Sequence, residues 1–298
     1  MIGVIFLNQL FDLYRRCFPC CVREDAVVRA LIDKATIISR CDGVGNLIGA
    51  SVIEDNNILL LCVDRLHRNQ GIGSELLAES ENLIRSNGFD TVTIGAGAHY
   101  IMPGIPSLHP MPGDKLEPAS LYPQLEDHSD FFTRRGFRHR WDCSCFDMRM
   151  RLDDFCADPI ADNLCYRFAE SSDLPAVLDC VADAHAPFVK HYRKPELYQP
   201  DNSTRVLVAQ SGESIAGTLL VSLESEGPGR GSVGCTAVRQ SHQGQGIASN
   251  LVILGTKHLK DAGMNEAFLG YTYSGLDKLY GRAGYRICCY YFMAEKKL

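Results

Sequence analysis

The 298 residues, 46% hydrophobic and 22% charged, suffice for two globular domains, each with a core of its own. A net charge of −6 gives no electrostatic reason for a nucleic acid or an anionic membrane as partner. No apolar run reaches the length of a membrane span, and the apolar opening Met1–Leu10 lacks the basic flank and cleavage site of a secretory leader.

In chain order, Phe6, Leu7, Leu10, Phe11, Leu13 and Tyr14 repeat at helical spacing, and a second helix is expected over Glu24–Lys34. Between them stand Cys17, Cys20 and Cys21, three of thirteen scattered cysteines that also include Cys143/Cys145 and Cys288/Cys289. Their spacing is wrong for paired CxxC knuckles and no histidine pair completes a set, so they read as structural thiols with no metal. Their odd number, without a leader, points to a reducing, cytoplasmic setting. Strands are predicted over Thr36–Arg40 and Leu47–Ile53, joined by the Gly43–Asn46 turn, and over Ile58–Val63. A glycine-rich loop follows, then a helix from Ile72 to Asn87 stopped by Gly88, then the strand Thr91–Ile94.

Gly95–Asp127 breaks this rhythm with Tyr100, Pro103-Gly104, Pro106, His109-Pro110 and Pro112-Gly113, and reads as a functional or interface loop. A short helix, Ser129–Arg135, ends at Gly136-Phe137, and Trp141–Leu152 alternates like a strand. The acidic, proline-bearing stretch Asp153–Asp162 is the expected linker, dividing the chain into domains 1–152 and 153–298.

In the second half, Leu164–Phe168 is a predicted strand. Ser171-Ser172-Asp173 is expected to cap a helix whose apolar face is Leu174, Val177, Leu178 and Val181. Ala184–Tyr198 is punctuated by Pro187 and Pro195, and Arg205–Ala209 with Ile215–Leu223 forms a hairpin. The Glu224–Arg230 turn leads to a strand ending at Val238, then a glycine loop and a helix to about Lys260. Ala267–Tyr271 is a strand, Asp277–Arg282 a short helix, and Tyr285–Glu295 a last, aromatic strand.

The two strand–loop–helix junctions are the same object twice. Leu61-Cys62-Val63 leads to Arg68-Asn69-Gln70-Gly71-Ile72-Gly73, and Thr236-Ala237-Val238 leads to Gln243-Gly244-Gln245-Gly246-Ile247-Ala248-Ser249. Glycines let the backbone pass close to a ligand, and the first helical turn offers N–H groups suited to phosphate. Neither loop ends in the Gly-Lys-Ser/Thr of a P-loop, and neither has the third glycine of a dinucleotide fingerprint.

The shared pattern, Arg68-x-x-Gly71-x-Gly73 and Gln243-x-x-Gly246-x-Ala248, resembles the acetyl-CoA loop of the GNAT N-acetyltransferase superfamily. The resemblance covers most of the chain as two copies in tandem. It implies an α/β (α+β) fold of two GNAT-like domains, each a mixed, mostly antiparallel sheet with a splayed central strand and flanking helices. The family usually opens with a further strand, for which only Met1–Phe6 leaves room, so the first copy looks trimmed. The resemblance also implies acetyl-CoA as co-substrate, with Thr236, Ala237 and Val238 beside its pantetheine arm and thioester, and Gln243 to Ala248 around its pyrophosphate.

The family's proton donor is a tyrosine in a Leu-Tyr-x-x-x-Gly-Phe segment, which Leu279-Tyr280-Gly281-Arg282-Ala283-Gly284-Tyr285 matches with Tyr285 in place of phenylalanine. Tyr280 is therefore the expected general acid. The first copy reads Phe131-Phe132-Thr133-Arg134-Arg135-Gly136-Phe137, and Phe132 cannot give a proton. The implied enzyme is asymmetric, with a catalytic second domain acting on a small-molecule amine, leaning to an amino sugar such as glucosamine, and working as a monomer or homodimer. A non-enzymatic acyl-CoA sensor or scaffold, and an aminoglycoside, polyamine or aminoacyl acyltransferase, stand as alternatives. Glu224, Glu226 and His242 lie near the central strand or its loop, and none is singled out as a base.

Overall fold

The structure is a computed structural model and describes residues 4–18, 25–95, 102, 105–106, 129–140, 145–225, 227–273 and 275–298. Most of the Gly95–Asp127 stretch, with Cys20, Cys21, Trp141, Cys143 and Glu226, lies outside the described residues.

Helix α1 (Val4–Cys17) buries Leu7, Leu10, Phe11 and Tyr14 along one stripe, the reason its apolar spacing forms a helix here. After α2 (Asp25–Ile32), the antiparallel meander β1 (Thr36–Cys41), β2 (Leu47–Glu54) and β3 (Asn57–Val63) closes the core beneath α1. Asp42 shapes the first turn by accepting the N–H groups of Val44 and Asn46 at 3.0 and 2.8 Å. Helix α3 (Ile72–Ser86) crosses over to β4 (Thr91–Ile94), parallel to β3. Then come β5 (Ile105–Pro106), α4 (Ser129–Thr133), β6 (Arg138–His139) and β7 (Cys145–Arg151).

The second half repeats the plan with β8 (Cys165–Phe168), α5 (Leu174–His185), α6 (Val189–Tyr192), β9 (Thr204–Ser211), β10 (Ser214–Ser222) and β11 (Arg230–Val238). It continues with α7 (Ile247–Asp261), β12 (Glu266–Tyr273), α8 (Asp277–Gly281), β13 (Arg286–Tyr291) and β14 (Ala294–Lys297). The cap of α5 differs from expectation. A single 3-10 turn, Ser171–Asp173, precedes the helix, and the reciprocal cap is Glu170 with Asp173, whose carboxylate accepts the Glu170 N–H at 2.8 Å.

The chain forms two compact units, residues 1–146 with 289–298, and residues 147–288. The first sheet runs β1-β2-β3-β4-β14-β6, and the second β5-β13-β7-β12-β11-β10-β9-β8. Both are mixed: β3 and β4, like β11 and β12, are parallel, while β1–β2, β2–β3, β4–β14 and β6–β14 in the first sheet and β8–β9, β9–β10, β10–β11 and β5–β13 in the second are antiparallel. Among the described residues the first sheet begins its order at β1, whereas the second ends at β8, beyond β9.

The first sheet takes β14 from the second half of the sequence, and the second sheet takes β5 and β7 from the first half. β14 lies between β4 and β6, with Ala294 opposite both Ile94 and His139. β7, which precedes the linker, lies between β12 and β13. The stretch 285–295 is therefore two strands in two sheets. It breaks at Phe292-Met293, where Phe292 stacks on Phe132 (ring centroids 5.9 Å apart) and meets His139 edge-on (5.1 Å). No helix among the described residues is long and apolar enough to cross a membrane.

Candidate active site

The centre of the second unit is a gap between two parallel strands. β11 and β12 pair only over Arg230–Ser232 with Glu266–Phe268, after which β11 continues to Val238 and β12 to Tyr273. Each strand carries one non-glycine residue in the left-handed region beyond that point, Cys235 (φ 49°) and Tyr271 (φ 53°). Such a conformation persists only where the surroundings hold it. Tyr192 donates its hydroxyl to the Cys235 carbonyl at 2.7 Å, and Asp147 accepts the Tyr271 N–H at 2.9 Å. Opposite β10 the register slips between Thr218 and Leu220, a bulge that re-aims the end of β11. Tyr192 is wholly buried, accepts from Thr218 Oγ1 at 3.2 Å, and is pushed well above the ordinary phenol pKa by burial, which keeps it a donor.

A cavity of about 480 Å³ occupies the gap. Its walls are Gly234–Val238 of β11, Leu269–Tyr273 of β12, and Ala184, His185 and Phe188 from the end of α5 and the turn after it. Gln243, Ala248, Leu276, Leu279 and Tyr280 also line it. Tyr280, on α8, is 5% exposed, and its hydroxyl lies 3.3 Å from Thr236 Oγ1. Burial raises the Tyr280 pKa, while the Thr236 hydrogen bond pulls the other way, so the phenol is protonated at neutral pH.

The glycine loops have the same internal bonding in both units. Gln243 Nε2 donates to Val238 O at 3.2 Å, as Arg68 Nε donates to Val63 O at 3.1 Å. Gln245 Nε2 donates to Ser241 O and Gln70 Nε2 to Leu66 O, both at 3.4 Å. Gly246 (φ 84°) and Gly71 (φ 90°) are left-handed N-caps without a side-chain cap, so the first-turn N–H groups of α7 and α3 are left for a ligand. A Cβ on Gly244 would meet nothing within 4 Å. This open backbone mouth fits a pyrophosphate.

A further pair escaped the sequence reading. A Cβ on Gly217 would sit 3.0 Å from Ile247 Cγ2 and 3.1 Å from Leu251 Cδ1, and one on Gly49 at the same two distances from Ile72 and Leu76. These glycines let each loop helix settle onto its sheet. Their signal was a glycine at the same place in both hairpins ahead of the loops.

In the first unit Phe132 stands where Tyr280 stands, 5% exposed among Phe131, Phe137 and Phe292. Phe131 fills the space over the loop, 3.4 Å from where a Cβ on Gly73 would be. The Met102 N–H donates to Leu59 O at 2.9 Å, so the excursion returns to β3 just past its pairing with β4. Leu61, Cys62, Val63 and Arg68–Gly73 form this unit's strand end and loop, whereas Thr236–Val238, Gln243, Ala248 and Tyr280 line the one cavity described above. Gly244, Gln245, Gly246, Ile247 and Ser249 form the loop and first turn beside it. His242 bonds to Ser241 Oγ at 2.9 Å, and neither it nor Glu224 lines the cavity. Among the described residues no cluster could hold a metal ion, and Cys17, Cys41, Cys62, Cys156, Cys165, Cys180 and Cys235 carry free thiols.

Residues 174–285 match the family model for the acetyltransferase (GNAT) family. The second unit is a GNAT domain. Among solved structures, the whole chain has the fold of a GCN5-related N-acetyltransferase from Sphaerobacter thermophilus (TM-score 0.67, 18% identity), covering 97% of this chain and 91% of that one. It also has the fold of a tandem GNAT protein from the clavulanic acid biosynthesis pathway (TM-score 0.61, 14% identity, 98% and 94% covered). A third likeness is to a fungal multi-domain GH3 β-N-acetylglucosaminidase with a GCN5-related glucosamine N-acetyltransferase region (TM-score 0.73, 17% identity). It covers 97% of this chain but only 36% of that protein. Among curated proteins nothing matches. The chain is thus two GNAT-like domains in tandem, of which the second is matched by sequence and the first repeats the fold.

Proposed function

We propose that the protein is an acetyl-CoA-dependent N-acetyltransferase that acetylates a primary amine of a small molecule, with its chemistry in the second GNAT domain. The observation that carries this is the meeting of Tyr280 and Thr236 inside the cavity between the splayed strands, beside an uncapped helix N-terminus. Acetyl-CoA supplies the acyl group as a thioester. Gly244–Ala248 offers backbone N–H groups to its pyrophosphate, and the unpaired end of β11, Thr236–Val238, can extend its ladder to the pantetheine arm. Tyr280 gives its proton to the departing sulfur, a role that suits a buried, protonated phenol. The first domain has phenylalanine at that place and an aromatic plug over its loop, which supports a non-catalytic role.

The amino-sugar reading of the acceptor draws support from the glucosamine N-acetyltransferase region of the fungal neighbour. A cytoplasmic setting fits the free thiols. Calorimetry with acetyl-CoA, followed by CoA release with glucosamine, tests the reading. Absence of acetyl-CoA binding by the folded chain would refute it.

A further inference from the structure

A primary amine carries an extra proton at neutral pH, and it must lose that proton before it can attack. Among the described residues lining the cavity there is no Asp, Glu, Lys or Arg. The imidazole among them is His185, at the end of α5, its ring 4.4 Å from that of Phe188.

Gly234 lines the same cavity as His185. A Cβ there would meet nothing within 4 Å, so packing does not require glycine at this position. Its direction follows from its neighbours. A Cβ on Gly231 would press on Leu259 of α7, and Val233 lies against Gly255 of α7. Gly234, one residue on, therefore faces the opposite side of the sheet, where its register partner Leu220 packs with the α5 core. The phosphate loop belongs to α7, so donor and acceptor have separate entries. The donor comes by the α7 loop, and the amine comes over Gly234 from the α5 side.

We propose that His185 takes the proton of the acceptor ammonium, that the space over Gly234 seats the acceptor, and that the acceptor is a monoamine. This rests on the transferase reading above. The ammonium gives one proton to the neutral imidazole of His185, which later loses it to solvent. The amine nitrogen forms the new C–N bond as the C–S bond breaks. Tyr280 protonates the sulfur and regains a proton from the nitrogen, so the amide and the thiol leave neutral. A second ammonium, as in a polyamine, would find no carboxylate among the described lining residues. Aromatic residues Phe188, Tyr271 and Tyr273 line the cavity instead. The ionisable groups around His185 are Asp183 on its own helix, held by the Gln240 N–H at 2.8 Å, and Lys190, His191 and Tyr192 of α6. Cys235 of β11, Tyr271 and Tyr273 of β12 and Tyr280 of α8 complete the set.

The test follows CoA release from about pH 5.5 to 9 with glucosamine, tyramine and spermidine, for the wild-type chain, His185→Gln and Gly234→Val, with acetyl-CoA binding measured by calorimetry. In the wild type, kcat/KM for a monoamine should show an acid limb, rising with pH as the base becomes available. His185→Gln should lose that limb and about 10²-fold in rate at neutral pH, recovering as the pH nears the amine's own pKa, with acetyl-CoA affinity unchanged. Gly234→Val should raise KM for the amine while acetyl-CoA affinity and melting temperature hold. A wild-type profile in His185→Gln, or better use of spermidine than of either monoamine, would overturn the proposal. Acetyl-CoA bound but never turned over with any of the three would overturn it while leaving the donor site standing. No acetyl-CoA binding at all would remove the transferase reading and this proposal together.

Discussion

One hydroxyl separates Tyr280 from Phe132, and the two sit at the same place in two copies of a fold. On the proposal that the hydroxyl acts on the leaving group rather than on ground-state binding, Tyr280→Phe should cut turnover by about 10²–10⁴-fold while leaving acetyl-CoA affinity almost unchanged. Steady-state kinetics beside calorimetry separates the two effects, and near-wild-type turnover would remove Tyr280 from the chemistry. Tyr192 makes a different case. Tyr192→Phe leaves the Cys235 carbonyl without its donor at a strained residue, which should cost about 1–3 kcal/mol in denaturant unfolding. Tyr280 was legible in the sequence because a short motif carries it. Tyr192 and Asp147 were not, because a side chain that braces a distant bulge has no fixed spacing from it. His185 was visible only as one of several histidines until the fold set it in the cavity wall.

At the scale of elements, the glycine loops were the most legible part of the chain, because a strand end, two glycines and an apolar helix face are all local signals. Gly246→Val puts a branched side chain at φ 84°, a strain of order 1–3 kcal/mol, at the loop that would carry the pyrophosphate. It should abolish acetyl-CoA binding in calorimetry and turnover with it. Gly71→Val makes the same change at φ 90° in the unit that carries Phe132, and should leave kcat intact while lowering the melting temperature or raising the acceptor KM. Loss of turnover in a folded Gly71→Val chain, with Gly246→Val still active, would move the chemistry to the first unit. Gly217 and Gly49 were passed over because close helix–sheet approach is a packing fact. The cap of α5 was placed one residue late because a 3-10 turn intervenes.

For the whole molecule, the sequence pointed to two copies but concealed that they trade strands. The alternation of 141–152 and of 285–295 says strand, and nothing in it says whose sheet. A chain cut at the linker to give 153–298 would lack β7, and with it Asp147, and would carry β14 with no sheet of its own. Such a fragment should bind acetyl-CoA far more weakly than the full chain, and should show two unpaired strand edges as aggregation in light scattering. Tight binding by the soluble fragment would show that β12 keeps its shape without β7. The trade also sets an order of events at the ribosome. The β7 segment emerges long before β12 and β13, the neighbours it will lie between. The first sheet cannot close until Ala294–Lys297 have been made, some 200 residues after the β4 strand they join. Until then the first sheet holds open strand edges at β4 and β6.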